Sequence, residues 1–202
     1  MRSLLPLLLL APADPAPGDP PADERIRVAV HAGRATLHGA GTQRSLRRAH
    51  GEVPASAEGR LVVAVASEVS LRWSGGMSLR VEGPAELSWG GDEASGTCRV
   101  ASARRLEWEA RDEGRGLALG GDWNLSLSAG AARLESVGRG SWLAYVHAGG
   151  PLRVGTAVRR RSGTWPAVVH PGRTARLDPP AERGGQGALS SPGPPPVRGC
   201  TR

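Results

Sequence analysis

From Ile26 to Leu177 the chain repeatedly alternates one apolar residue with one polar residue. Ile26, Val28 and Val30 open the pattern, and Ala35 and Leu37 follow Gly33. Val69, Leu71 and Trp73 alternate with Glu68, Ser70 and Arg72, and Leu106, Trp108 and Ala110 with Arg105, Glu107 and Glu109. Trp123, Leu125 and Leu127 alternate with Asn124, Ser126 and Ser128, and weaker runs follow at 132–137, 141–147, 151–155, 165–170 and 173–177. A period of two sends successive side chains to opposite faces of an extended strand, so each run predicts a strand with one dry and one wet face. Glycine pairs at 75–76, 90–91, 120–121 and 149–150 separate many of the runs. No stretch carries a convincing 3.6-residue period. Short strands between glycine turns predict an all-β fold: a single domain of many short antiparallel strands, arranged as a sandwich or roll of two packed sheets.

Three stretches depart from simple alternation. Residues 39–59 are rich in glycine, arginine and polar side chains, and 44–51 (RSLRRAHG) predicts a helical turn at most. Residues 60–66 (RLVVAVA) are apolar on both phases, as in a central strand. In 77–89 (MSLRVEGPAELSW) Met77, Leu79 and Val81 precede Gly83-Pro84, and Ala85, Leu87 and Trp89 follow it in the same phase. Gly83 and Pro84 are therefore read as a structural kink or bulge that removes one ladder donor while both halves cover one core.

The ends of the chain read differently. Arg2, the leucine-rich segment 4–10 and Ala11-Pro12-Ala13 have the order of a secretory signal, so 1–13 is expected to be a signal peptide. The apolar segment is too short to span a bilayer, which takes about 20 residues. Residues 14–24 form a proline-rich linker, 25–177 the β-domain, and 178–202 a disordered Pro/Gly-rich tail. The expected location is periplasmic or secreted, and the chain is not expected to span a membrane.

Composition adds little about partners. The 26 basic residues are all arginine, and the formal charge is +7. With no Phe, a single Tyr, and one Ile and one Asn, the bias matches a GC-rich coding sequence. The arginines are scattered, apart from a run at 159–161 that reads as a solvated loop or strand end. A nucleic-acid binder concentrates its charge or interleaves it with aromatics, so no nucleic acid is expected. Trp73, Trp89, Trp108, Trp123, Trp142 and Trp165 supply the bulk that Phe usually provides. Trp73, Trp89, Trp108 and Trp123 are assigned structural, core roles. Trp165, between Ser162-Gly163-Thr164 and Pro166, is the candidate for an exposed ligand contact.

Catalytic chemistry is not evident. His31, His38, His50, His147 and His170 show no HxH, HxxxH or HExxH spacing, and there is no G-x-S-x-G elbow, CxxC pair or GK[ST] loop. No catalytic residue, metal ligand or cofactor is assigned, and the protein is not expected to be an enzyme. Cys98 and Cys200 either pair, which export would permit, or stay separate thiols. The Asn124-Leu125-Ser126 sequon falls within a strand.

Residues 60–87, RLVVAVASEVSLRWSGGMSLRVEGPAEL, resemble the core of FecR-type domains, in which a strand, a glycine turn and an alternating strand precede Gly-Pro-Ala and a further strand. Here Gly75-Gly76 matches the turn, and Gly83-Pro84-Ala85-Glu86-Leu87 is the most specific match. The segments 147–155 and 170–177 are similar in rhythm to that family's closing strands. The resemblance implies a β-rich, periplasmic, non-catalytic module that contacts protein partners, as founding members do in relaying a signal to a sigma factor. In contrast to that architecture, no cytoplasmic regulatory segment and no transmembrane helix are expected, and the family's Gly-Thr-x-aromatic motif is not evident. The expected function is an exported β-domain acting by protein interaction in envelope signalling or scaffolding. A glycan-binding module using Trp165, and an enzyme with a dispersed site, are the alternatives.

Overall fold

The computed structural model describes residues 24–39, 41–90, 97–111, 116–120, 123–156, 167–179 and 189–190. All regular structure among them is β. The first strands are β1 (Arg25–Ala32), β2 (Ala35–Gly39), β3 (Thr42–Leu46), β4 (His50–Pro54), β5 (Gly59–Val63) and β6 (Glu68–Trp73). Then come β7 (Met77–Glu82), β8 (Ala85–Trp89), β9 (Cys98–Ser102), β10 (Arg105–Ala110), β11 (Gly116–Leu119) and β12 (Trp123–Leu127). The last are β13 (Gly130–Gly138), β14 (Ser141–Gly149), β15 (Leu152–Thr156), β16 (Ala167–Val169), β17 (Thr174–Leu177) and β18 (Leu189–Ser190).

These strands make two nine-stranded sheets. The first has the order β18-β17-β14-β13-β10-β7-β6-β1-β4, the second β16-β15-β12-β11-β9-β8-β5-β2-β3. Pairing is antiparallel except between β9 and β11. The chain visits each sheet for one or two strands and then crosses to the other, so both sheets grow in the same direction along the molecule.

The alternation explains why the two sheets hold together. Ile26, Val28, Leu71, Leu79, Val81, Leu106, Trp108 and Leu134 point inward from the first sheet. Leu37, Leu61, Leu87, Val100, Leu117, Leu125 and Leu152 point inward from the second, and all belong to one continuous apolar core. Face-to-face sheets of this kind interdigitate across about 10 Å. Burying a single leucine or valine contributes roughly 1.5–3 kcal/mol, so the shared core is the main favourable term.

Gly83-Pro84 has a different role from the kink expected. β7 lies in the first sheet and β8 in the second, so this dipeptide is a corner where the chain changes sheets. Val81 and Ala85 are an even number of positions apart, and both point into the core from opposite sides. The Gly83-Pro84 peptide bond is cis. Gly83 donates its N–H to the Ser67 carbonyl at 2.9 Å, and a Cβ on Gly83 would collide with the Ala64 carbonyl oxygen. Close approach of two backbones, not a left-handed φ, therefore calls for glycine here.

Two more expectations need correction. Residues 44–51 contain no helical turn: Thr42–Leu46 and His50–Pro54 are strands β3 and β4, at one end of each sheet. Edge strands need few inward side chains, and here only Leu46 and Gly51 are buried, which masks the alternation. The apolar run 60–66 does supply an interior strand, β5 between β2 and β8, but it is not buried on both faces, since Val62 is only half-buried and Val65 is 75% exposed in the turn after β5. Within the tail expected to be disordered, Leu189–Ser190 pairs with β17.

Candidate functional site

The outward residues of the first sheet fall into three rows that cross its strands. One row runs Glu68, Glu82, Arg105, Glu135, Leu143, Arg176. The next runs Ser70, Arg80, Glu107, Arg133, Tyr145, Thr174. The third runs Arg27, Arg72, Ser78, Glu109, Ala131, Ala148. Side chains directly opposite on neighbouring strands lie about 5 Å apart, so sign and size within a row decide whether they attract.

In the first two rows Arg80, Arg105 and Arg133 each reach a carboxylate, and the opposed pair Glu68–Glu82 is flanked by Arg80 and Arg105. Arg105 reaches Glu107 at 2.6 Å and Glu82 at 3.4 Å, with Glu135 3.9 Å away. Arg80 pairs with Glu68, and Arg133 with Glu135. Glu68, by its hydrogen bond first and its charge second, raises the pKa of Arg80. A shallow cleft of about 220 Å³ is lined by Arg80, Glu82, Arg105 and Glu107, whose charges already satisfy one another. Farther along, Tyr145 and His147 meet edge to face, with ring centroids 4.6 Å apart. Solvated pairs of this type each contribute about 0–1 kcal/mol and repel wrongly charged visitors more than they stabilise the fold.

The third row breaks the matching. Arg27 has Glu52 on one side but Arg72 on the other. Arg72 has Arg27 and Ser78 as its row neighbours, and then the row falls away to alanine. Here the surface dips into a groove of about 560 Å³. Arg72, Ser74, Ser78, Glu109 and Arg111 are its polar lining, and Gly76, Gly130 and Gly149 leave its walls without side chains. Ser78 Oγ donates to Glu109 at 3.3 Å. Neither Arg72 nor Arg111 has an ion pair or a side-chain hydrogen bond among the described residues.

The groove wall is held in place by a buried carboxylate. Glu24 is only 2% exposed, and its Oε1 accepts a hydrogen bond from the Gly75 N–H at 3.0 Å. The Arg25 and Ser74 backbones meet beside it, with the Ser74 N–H donating to the Arg25 carbonyl at 3.0 Å. The β6–β7 turn, which carries Ser74 and Gly76 into the groove, is thereby tied to the start of β1.

The outer face of the second sheet is plainer. It presents Val62, Ser88, Ala101, Ala118, Asn124 and Ser126, with the ion pair Arg60–Glu86 at 2.9 Å. Both sequon residues, Asn124 and Ser126, are exposed there.

The residues singled out from sequence are distributed as follows. Trp73, Trp89, Trp108 and Trp123 are all buried in the core, as is Trp142. Gly83 and Pro84 form the sheet-changing corner on the side of the molecule away from the groove. Trp165, Cys200 and the arginines at 159–161 lie outside the described residues. Cys98 is a free thiol inside the core. Among the described residues no group of His, Cys, Asp and Glu is arranged to hold a metal ion, and no helix is long and apolar enough to cross a membrane. The groove residues were not singled out, because Arg72, Ser78, Glu109 and Arg111 share a feature only once strand register joins them.

No protein-family model matches the chain, and no curated protein matches it. Among solved structures, it is similar to a Parabacteroides distasonis protein that carries the provisional designation of anti-sigma factor. The two share 10% identity and a TM-score of 0.49, over 66% of this chain. The match spans 60% of the other protein's length.

Proposed function

We propose that this protein is an exported, non-catalytic β-module that works by protein interaction in the cell envelope, in signalling or scaffolding. The observation that carries the reading is the break in charge matching on the first sheet. Seven Arg and Glu side chains of that face are joined in ion pairs, yet at one rim Arg72 and Arg111 have no ion pair among the described residues and stand beside an open groove. Uncompensated charge beside an accessible concavity suits recognition better than stability. The signal-like order of residues 1–13 supports export, and the resemblance of residues 60–89 to FecR-type domains supports an envelope sensory or scaffolding role.

Two measurements test this. Fractionation of the full-length chain in its own host should recover it outside the cytoplasm, and a wholly cytoplasmic pool would overturn the export half. A photo-crosslinking residue at Ser78, in the groove, should join one defined envelope protein, while the same residue at Asn124 on the opposite sheet should not. Equal crosslinking from both faces, or from neither, would overturn the interaction half.

A further inference from the structure

Resting on that interaction reading, we infer that the groove between β6, β10 and β13 takes an acidic, extended peptide segment of the partner, with its carboxylates bound by Arg72 and Arg111. Three features lead there. Arg27 and Arg72 stand directly opposite one another on β1 and β6, a like-charge arrangement that costs stability. Glu68 and Glu82 also face each other, but Arg80 and Arg105 relieve them, whereas no ion pair relieves Arg27 and Arg72 among the described residues. A carboxylate delivered to Arg72 would do so. Arg111 follows β10 directly and its N–H donates to the Gly76 carbonyl at 3.1 Å, which holds it on the far side of the same depression. β6 and β10 are separated by β7, and Arg111 lies two residues beyond the Arg72–Ser78–Glu109 row, so the two arginines stand roughly 12 Å apart at their backbones. Both are exposed and long enough to converge on carboxylates two or three residues apart in an extended chain.

The groove between them selects a peptide. Gly76, Gly130, Gly149, Ala131 and Ala148 present no side chain beyond a methyl, so a backbone can approach closely. Glu109 sits in the same groove with one oxygen engaged by Ser78. Its carboxylate can accept a peptide N–H, but it repels a continuous polyphosphate.

The test uses fluorescence anisotropy of the full chain with a labelled glutamate decamer, a glutamine decamer, and a single-stranded DNA decamer. The glutamate peptide should bind, and its affinity should fall at least about tenfold in the Arg72→Gln, Arg111→Gln double variant. It should also fall with added salt. Arg153→Gln, an exposed position on the other sheet, should leave it unchanged. The melting temperature of Arg72→Gln should be equal to or above that of the parent, which separates lost binding from lost folding. Equal binding of the glutamine peptide, equal losses in the double variant and Arg153→Gln, or tighter binding of the DNA would each overturn the inference. If Ser78 still crosslinks a partner while the glutamate peptide ignores both arginines, the interaction reading stands and this one falls.

Discussion

Gly83 passes so close to Ala64 that a methyl group on it would strike the Ala64 carbonyl oxygen. The contact joins two consecutive corners of the chain, each leading from one sheet to the other. Gly83→Ala should therefore destabilise the domain by about 2–3 kcal/mol, because backbone rather than a flexible side chain must move. Ser88→Ala, on an outer face, should stay within about 0.5 kcal/mol. Urea midpoints of the two variants decide it, and a neutral Gly83→Ala would mean that the corner is looser than its geometry indicates.

The opposite phases of β8 give a second contrast. Trp89 is 4% exposed, with its ring packed where a side chain at Gly59 would otherwise lie. Trp89→Ala should cost about 3–5 kcal/mol through the cavity it leaves. Glu86, one half of an exposed ion pair with Arg60, should cost less than about 1 kcal/mol when changed to alanine. Comparable losses in the two variants would reverse the assignment of faces.

Acid should act through Asp178. Its Oδ1 accepts hydrogen bonds from Ser141 Oγ at 2.7 Å and Arg176 Nε at 2.8 Å. The Ser141 hydrogen bond first, and the Arg176 one next, lower its pKa below the usual carboxylate value. A carboxyl with a depressed folded pKa contributes stability above its unfolded pKa and loses it as pH falls through the folded value. The melting-temperature difference between the parent and Asp178→Asn should thus be largest at neutral pH and shrink below about pH 4. A difference that held constant down to pH 2 would show that the carboxylate is not held in this way.

Burial pushes the Cys98 thiol up to about 12. Only the thiolate reacts readily, so Cys98 should resist alkylation at pH 8 while the domain is folded. In a Cys200→Ser background, iodoacetamide labelling should follow the unfolding transition. Labelling of the folded protein at the rate of a free thiol would place β9 outside the core.

Period-two alternation made the strands and their inward faces legible, and it identified the buried tryptophans by phase alone. The path between strands was not legible at Gly83-Pro84. Val81 and Ala85 keep the same parity whether the chain continues along one strand or turns onto a facing sheet, so phase cannot distinguish a kink from a corner. β3 and β4 escaped notice because a strand at the end of a sheet carries few apolar residues. The groove was invisible for a deeper reason. Its charge imbalance exists only because register sets Arg72 against Arg27 and brings Arg111 alongside, and register is a property of pairing rather than of any local segment.

The shared direction in which both sheets grow has a consequence for how the polypeptide acquires its shape. Each of these strands joins one already made: β6 adds to β1, β7 to β6, β10 to β7, β13 to β10. Among the described strands, no pairing waits for the last to close back upon the first. A chain emerging amino end first, from a ribosome or through a pore, can lay down each strand on a finished edge and seal the layer with the next crossing. Such end-to-end zippering spares the chain a closure between its two ends, the separation at which loop-closure entropy would be largest.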